Sequence, residues 1–140
     1  MKTILLTLTI ALSSLLLNAQ TETTDAGTTI EVSVPVPSDK GNVVFALYDE
    51  ASFMKEPLVG LTSDIVDGKA TATFENITPG TYAVILFHDK NENKKMDFEP
   101  NGMPKEMYGV SNNVMSMGPP QFSDAKFEVA DDPITLDIRM

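Results

Sequence analysis

Hydrophobic and polar residues alternate along several stretches of the chain. Between residues 30 and 36, Ile and Val occupy every even position, while Glu, Ser and Pro occupy the odd ones. Because successive side chains of a strand point to opposite faces, this period of two is typical of a half-buried β-strand. Similar alternation, or short runs that are apolar on both faces, recurs to the end of the chain. The pattern predicts seven strands, at 30–36, 42–48, 58–66, 69–75, 82–87, 122–129 and 134–138.

Turn signals between these strands favour an all-β fold. The pair Asp67-Gly68 suits the positive φ angles of a tight hairpin turn. Tyr82 follows a Pro-Gly turn at the start of a strand, which is the setting of a tyrosine corner. Only residues 50–55 resemble a helical turn. We therefore expect a seven-stranded antiparallel Greek-key β-sandwich, immunoglobulin-like or prealbumin-like, with one long irregular loop at 89–121.

The first residues have the features of a secretory signal. Lys2 supplies a positive charge, residues 4–17 are apolar apart from Thr and Ser, and the small residue Ala19 ends the segment. The apolar stretch is shorter than the about 20 residues of a membrane helix, which favours cleavage over a retained anchor. We expect a signal peptide at 1–19, a polar leader at 20–29 and one β-sandwich domain at 30–140. The mature protein would be periplasmic or secreted and would have no membrane span.

The charge balance narrows the classes of partner. The chain has 20 acidic and 10 basic residues, a formal net charge of −10. An acidic surface repels phosphate backbones and anionic lipid, so nucleic acid and membrane surfaces are excluded as partners, while cations and neutral partners remain. The chain has no Cys. The domain therefore has no disulfide and no lipid-acceptor Cys, and must fold on its apolar core alone.

One segment after the central strand has the spacing of a calcium loop. From residue 89, side-chain oxygens recur at relative positions 1, 3, 5 and 9, and position 7 would contribute a backbone carbonyl. Calcium takes six to eight oxygen ligands, and a tightly wound loop brings alternate residues to a common centre. The predicted ligands are Asp89, Asn91, Asn93, the carbonyl of Lys95, Asp97 and Glu99.

Several departures from a complete calcium motif weaken the predicted site. Position 6 is Lys94 instead of Gly, and position 12 is Pro100 instead of a bidentate Glu. Glu92, Glu99 and Glu106 are the candidates to close the coordination sphere. We expect a Kd of about 10⁻⁴ to 10⁻³ M, as in extracellular calcium modules. The alternative is a metal-free loop in which the Asp and Asn side chains accept hydrogen bonds from local backbone N–H groups.

His88 and a group of Met residues offer other metal-binding chemistry. His88 is the only His, and no Cys can complete a zinc or copper set with it, which favours a structural role. Five of the eight Met residues fall between residues 89 and 121. They either fill irregular gaps over the end of the sandwich or bind a soft metal, and the first interpretation is favoured.

Two runs in the second half of the chain carry a family resemblance. They are His-Asp-x-Asn-x-Asn from His88 and Gly-x-Pro-x-Glu-x-Tyr-Gly-x-Ser-Asn-Asn from Gly102. Together with residues 41–48 and 79–83, they resemble a bacterial exported family known as domain-of-unknown-function family 2141, over residues 30–140. The resemblance implies a small exported β protein and brings neither an activity nor a cofactor. The family commonly has Gly where this chain has Glu92, Lys94 and Met107.

These observations favour an exported, non-catalytic module whose calcium loop orders residues 89–121 for an envelope or extracellular protein or glycan. A second hypothesis is a carbohydrate- or peptide-binding module without metal, in which Tyr108 and Phe122 are stacking surfaces. A third is a glycan hydrolase, which needs two carboxylates as acid and base. Its candidates are Asp89, Asp97, Glu99 and Glu106.

Overall fold

The computed structural model describes residues 27–140, so the predicted signal peptide and most of the leader lie outside the described residues. The described part is all-β, with eight strands in two sheets and almost no helix. Its one α-helix, α1 (Phe122–Ala125), has four residues. No helix in the described part is long and apolar enough to span a membrane. The strands are β1 (Thr28–Pro35), β2 (Asn42–Tyr48), β3 (Val59–Asp64), β4 (Lys69–Ile77), β5 (Gly80–Asp89), β6 (Tyr108–Val110), β7 (Phe127–Val129) and β8 (Ile134–Asp137).

The first sheet has the strand order β4-β1-β8, and the second has the order β3-β2-β5-β6, with β7 also paired to the start of β5. Two details correct the prediction of seven antiparallel strands. The three residues of β6 are too few to produce a hydrophobic period, so that strand was missed. In addition, β8 runs parallel to β1, from Ile134 opposite Ile30 to Asp137 opposite Ser33. Alternation shows which face a residue occupies but carries no information on strand direction.

A third correction concerns residues 122–129, which were predicted to form one strand. They divide into α1 and the short strand β7. The apolar residues Phe122 and Ala125 are three apart, which places them on one side of a helical turn, while Phe127 and Val129 keep the strand period. The segment therefore changes from one period to the other within eight residues, too short a span for either to dominate.

Side chains from both sheets form one hydrophobic core. Three apolar residues of β1 point inward and are fully buried, as the alternation predicted: Ile30, Val32 and Val34. They meet Phe74 of β4 and Phe45 of β2, each 1% exposed or less. Burial of one such side chain contributes about 1.5 to 3 kcal/mol. The other core members include Val43, Leu47, Ala70, Ala72, Val84, Leu86, Val129 and Ile138.

Two predicted turns are confirmed. Asp67 and Gly68 have φ angles of 52° and 73°, the left-handed values that this hairpin turn requires. The hydroxyl of Tyr82 donates to the carbonyl oxygen of Thr78 at 2.9 Å. A Cβ on Gly80 would lie 3.2 Å from the ring of Tyr82, so the absence of a side chain there leaves room for the corner.

A Ser-Asn-Asn turn after β6 connects three parts of the domain. The Ser111 hydroxyl is fully buried, accepts from the backbone N–H of Val84 at 3.0 Å and donates to the carbonyl of Ala125 at 2.6 Å. Asn112 donates to two carbonyls around the end of α1. Asn113 donates to the carbonyl of Asp137 and accepts from the N–H of Arg139. The turn therefore anchors the part of the long loop that follows β6 to β5, α1 and β8.

Candidate functional site

The candidate site lies at the carboxyl end of β5, where the long loop begins. Asp89 is the last residue of β5 and is completely buried, although a carboxylate is rarely found in such a position unless it is paired. It lies on the face of the sheet opposite to the main core, because its neighbour His88 occupies the core side. The loop that follows folds over this face and covers the carboxylate.

Both oxygens of Asp89 accept hydrogen bonds from the backbone of the loop. Its Oδ1 accepts from the N–H of Asn93 at 3.2 Å, and its Oδ2 accepts from the N–H of Lys94 at 2.7 Å. The N–H of Lys95 then donates to Oδ1 of Asn93 at 2.9 Å. These bonds wind the segment around the Asp89 side chain, which is the local condition for alternate residues to face a common centre.

Asp97 receives the side-chain amides of the two Asn residues. Nδ2 of Asn91 donates to Oδ2 of Asp97 at 2.7 Å, and Nδ2 of Asn93 donates to the same oxygen at 3.1 Å and to Oδ1 at 3.2 Å. The structure therefore brings together four of the predicted ligand residues: Asp89, Asn91, Asn93 and Asp97. In this arrangement the two Asn residues present nitrogen, and not oxygen, toward Asp97.

Glu106 closes the loop from the other side. It is 6% exposed, and its two oxygens accept from the N–H groups of Lys90 at 3.2 Å and Asp97 at 3.3 Å. These residues occupy positions 2 and 9 of the loop, so the carboxylate of Glu106 bridges its two arms. Glu99, another of the predicted closing candidates, is exposed, and its backbone N–H donates to the carbonyl of Met103 at 2.8 Å.

A small hairpin explains why Glu106 and not Glu99 reaches the loop. Phe98 pairs with Pro104 in an isolated bridge, and the N–H of Lys105 donates to the carbonyl of Asp97 at 2.8 Å. The chain reverses at Gly102, which has a φ of 83°. Glu99 therefore lies near the tip of the hairpin, whereas Glu106 is returned to its base. The Asn101-Gly102 pair is the sequence signal that marks this reversal.

Asn42 is a further polar residue at this end of the sheet, and it was not among the predicted site residues. It lies directly opposite Asp89 in the β2–β5 pairing, and opposed residues of an antiparallel pair point to the same face. It is 8% exposed, and its Oδ1 has no hydrogen-bond partner. A buried acceptor without a partner costs about 1 to 3 kcal/mol. The strand pairing that places it there cannot be read from its local sequence.

The loop takes left-handed backbone angles at two residues that are not Gly. Glu92 and Lys94 have φ angles of 57° and 61°. These are two of the three positions at which the resemblance implies Gly in the family. The winding of the loop is therefore retained in this chain, at a cost of about 1 to 2 kcal/mol for each left-handed residue that carries a side chain.

The carboxylates do not converge on one point in this arrangement. Within residues 27–140, no three side chains of His, Cys, Asp or Glu are grouped so that they could hold a metal ion. A hard cation at this position would therefore need amide and carbonyl oxygens besides carboxylates, and Asp97 would have to turn away from the Asn amides. The residue types and the winding fit calcium, and the side-chain orientations are those of a loop that satisfies its own polar groups.

The remaining candidates have structural surroundings. Nε2–H of His88 donates to the carbonyl of Lys40 at 2.7 Å, and the ring is 1% exposed, as a structural role requires. Phe122 packs edge-on against Phe53, with ring centroids 5.5 Å apart, in a second apolar cluster that also includes Tyr108. The ring of Phe122 is therefore engaged within the protein. Tyr108 is half-buried and also lines a surface groove.

Comparison with known proteins places the chain in a family. The profile of the family described as "Uncharacterized protein conserved in bacteria (DUF2141)" matches residues 30–137. The chain belongs to this family. The matched region begins at the second residue after the start of β1 and ends with β8, so it includes both sheets and the whole candidate site. No curated protein and no solved structure matches the chain at a significant level.

Proposed function

We propose that this member of the DUF2141 family is an exported, non-catalytic β-sandwich module whose 89–97 loop binds a calcium ion and thereby orders the segment that follows. The single observation that supports it best is the burial of Asp89 and Glu106 around one wound loop, with no basic side chain among their hydrogen-bond partners. All the hydrogen bonds to the two carboxylates come from backbone N–H groups, and a cation would compensate the buried negative charge.

The proposal also includes the Greek-key topology of the β-sandwich. The chain changes sheet between β1 and β2, between β3 and β4, between β4 and β5 and between β7 and β8. Such crossings are typical of a Greek-key sandwich of the immunoglobulin-like or prealbumin-like kind. Export rests on the signal pattern of residues 1–19, and it would place the loop in a compartment where millimolar calcium is present.

In the proposed site, the ligands from the loop are Asp89, Asn91, Asn93, the carbonyl of Lys95 and Asp97. Glu106, one of the three closing candidates named from the sequence, completes the coordination sphere in place of Glu99. Rotation of an Asn side-chain amide by half a turn puts its oxygen where its nitrogen was. Binding then requires loss of the Asn–Asp97 hydrogen bonds. A hydrogen bond to a charged group contributes about 1.5 to 3 kcal/mol, so this exchange limits the affinity. We therefore keep the expected Kd at about 10⁻⁴ to 10⁻³ M.

Calorimetry and thermal unfolding of the mature protein test the proposal, with magnesium as the competing ion. At about 10 mM calcium, that Kd range stabilises the folded state by about 1.4 to 2.7 kcal/mol. Glu106→Gln should remove most of this gain, because it removes a buried charged ligand. Glu99→Gln is the matched control and should leave the gain intact, because that side chain is exposed. Absence of both heat and stabilisation would exclude the calcium site, and equal binding by the two variants would exclude Glu106 as a ligand.

The ordering role has a separate test. Limited proteolysis of residues 90–105 should be slower in calcium than in chelator, because the ion holds the two arms of the loop together. Equal cleavage rates, measured under conditions where calorimetry shows binding, would leave a calcium site without an ordering role.

One observation keeps the metal-free binding module as a second candidate. Tyr108 lines a groove of about 290 Å³ together with Val110 and Arg139, and a half-exposed ring beside a groove can stack on a sugar or peptide. Glycan-array binding that is lost in Tyr108→Ala and retained in chelator would favour this candidate. A silent array would count against it.

A further inference from the structure

Three Met residues of the long loop do not fill gaps over the end of the sandwich, contrary to the favoured interpretation of the sequence. Met115 is 98% exposed, and Met117 has the full exposure of an extended chain. Met103 is 61% exposed. An isolated exposed apolar side chain needs no explanation, but two fully solvated thioethers separated by one residue are not accounted for by packing.

The chain holds the sulfurs of Met115 and Met117 within reach of one ion. Two residues apart, their Cα atoms can be separated by no more than about 7 Å, whatever the backbone conformation. Each side chain has three rotatable bonds, so the two sulfurs can approach each other at little cost. A third Met lies on the same surface, because Met140 lines the same groove of about 290 Å³ beside β6 as Met115 does.

Thioether sulfur selects soft ions. Neutral sulfur ligands bind Cu(I) and compete poorly for calcium or magnesium, which prefer oxygen. Other soft ligands are excluded in this chain, because it has no Cys and its single His is buried and hydrogen-bonded. Arg139 also lines the groove, and its positive charge opposes a cation. That repulsion is smaller for a monovalent ion, and solvent screens an exposed side chain.

We propose that Met115, Met117 and Met140 form a thioether site for a soft monovalent metal ion, Cu(I) in the cell. The side chains of Met115 and Met117 are free in solvent, whereas Met140 is half-buried, packs against the main core and lines the groove. Formation of the site therefore requires side-chain rotation and no change in the strands. It does not depend on the calcium loop, which uses a different class of ligand atom at the other end of the 89–121 segment.

Titration of the mature protein with Ag(I) in chloride-free nitrate buffer tests the site with a redox-inert probe, and anaerobic competition for Cu(I) against a chromophoric chelator repeats it. Met115→Leu/Met117→Leu should weaken binding by more than about tenfold, equivalent to 1.4 kcal/mol. Met140→Leu should weaken it as well. The matched control is Met103→Leu/Met107→Leu, which removes one thioether from the 98–104 hairpin and one directly before β6 and should bind as the wild type does. Leu keeps the size and apolarity of Met, so the fold is preserved in every variant.

NMR spectra of ¹³C-methyl Met provide the second readout. One equivalent of Ag(I) should shift the methyl signals of Met115, Met117 and Met140 and leave that of Met54 in place. The proposal is overturned if millimolar Ag(I) produces no heat, or if the control variant loses as much affinity as Met115→Leu/Met117→Leu. Calcium at millimolar concentration should leave the Ag(I) isotherm unchanged, and competition between the two ions would contradict separate sites.

Discussion

Replacement of Ser111 by Ala is the most quantitative test of how the long loop is anchored. The Ser111 hydroxyl is fully buried and makes two hydrogen bonds, one from the N–H of Val84 and one to the carbonyl of Ala125. Ala keeps the backbone and removes only the oxygen. The space that remains is that of one hydroxyl, too small to admit a water that could replace both bonds.

The expected loss of stability follows from the two backbone groups that lose their hydrogen-bond partner, the N–H of Val84 and the carbonyl of Ala125. A buried donor or acceptor without a partner costs about 1 to 3 kcal/mol, and Ser111→Ala leaves one of each. Removal of the hydroxyl also removes its own desolvation cost, which offsets part of the loss. We expect a net destabilisation of about 2 to 4 kcal/mol, out of the about 5 to 15 kcal/mol that is usual for a domain.

Urea unfolding of residues 20–140 measures this loss, with Ser123→Ala as the control. Ser123 is exposed and makes only a long 3.4 Å contact to its neighbour Asp124. Its replacement should change the free energy of unfolding by less than about 0.5 kcal/mol. A destabilisation by Ser111→Ala as small as that of the control would refute the role of this hydroxyl as the link between β5 and α1.

Two further predictions concern the backbone of the 89–97 loop and the turn after β2. Lys94→Gly should raise the free energy of unfolding by about 0.5 to 1 kcal/mol, because Gly adopts the left-handed φ of 61° without strain. The control Lys95→Gly should lower the free energy of unfolding. Stabilisation by both variants would show that relief of the left-handed φ is not the cause. The backbone N–H and hydroxyl of Ser52 lower the pKa of Asp49 from 3.8. Because the pKa of Asp49 is lower in the folded state, its ionised carboxylate stabilises the fold above pH 3.8, and this stabilisation is lost as the pH falls through the pKa of the folded state. The small difference in the free energy of unfolding between wild type and Asp49→Asn should therefore shrink in that acid range. A difference that does not change with pH would refute this role of Asp49.

The sequence predicted the elements that depend on local pattern. Alternation placed β1, β4 and β8, and the Asp67-Gly68 and Pro-Gly pairs marked a hairpin turn and a tyrosine corner, because each of these features is determined by a few neighbouring residues. The parallel pairing of β8 with β1 and the existence of β6 depend on contacts across the whole domain. No local signal encodes them.

In the candidate site, too, the features set by neighbouring residues were predictable and those set by distant contacts were not. The spacing of Asp89, Asn91, Asn93 and Asp97 was visible in the sequence, and the structure brings these residues together. The closing residue was not determined, because the 98–104 hairpin carries Glu99 away from the loop and returns Glu106 to it. Asn42 could not have been found at all, since only the β2–β5 register places it opposite Asp89.

A crystal structure of the mature protein grown in abundant calcium tests the central claim most directly. If the loop binds calcium, one ion lies at about 2.3 to 2.6 Å from its ligands, which are Asp89, the amide oxygens of Asn91 and Asn93, the carbonyl of Lys95, Asp97 and Glu106. Both Asn side chains would have turned from the orientation in which their nitrogens donate to Asp97. Calcium binding by the loop is contradicted if those nitrogens still donate to Asp97 and no ion occupies the loop.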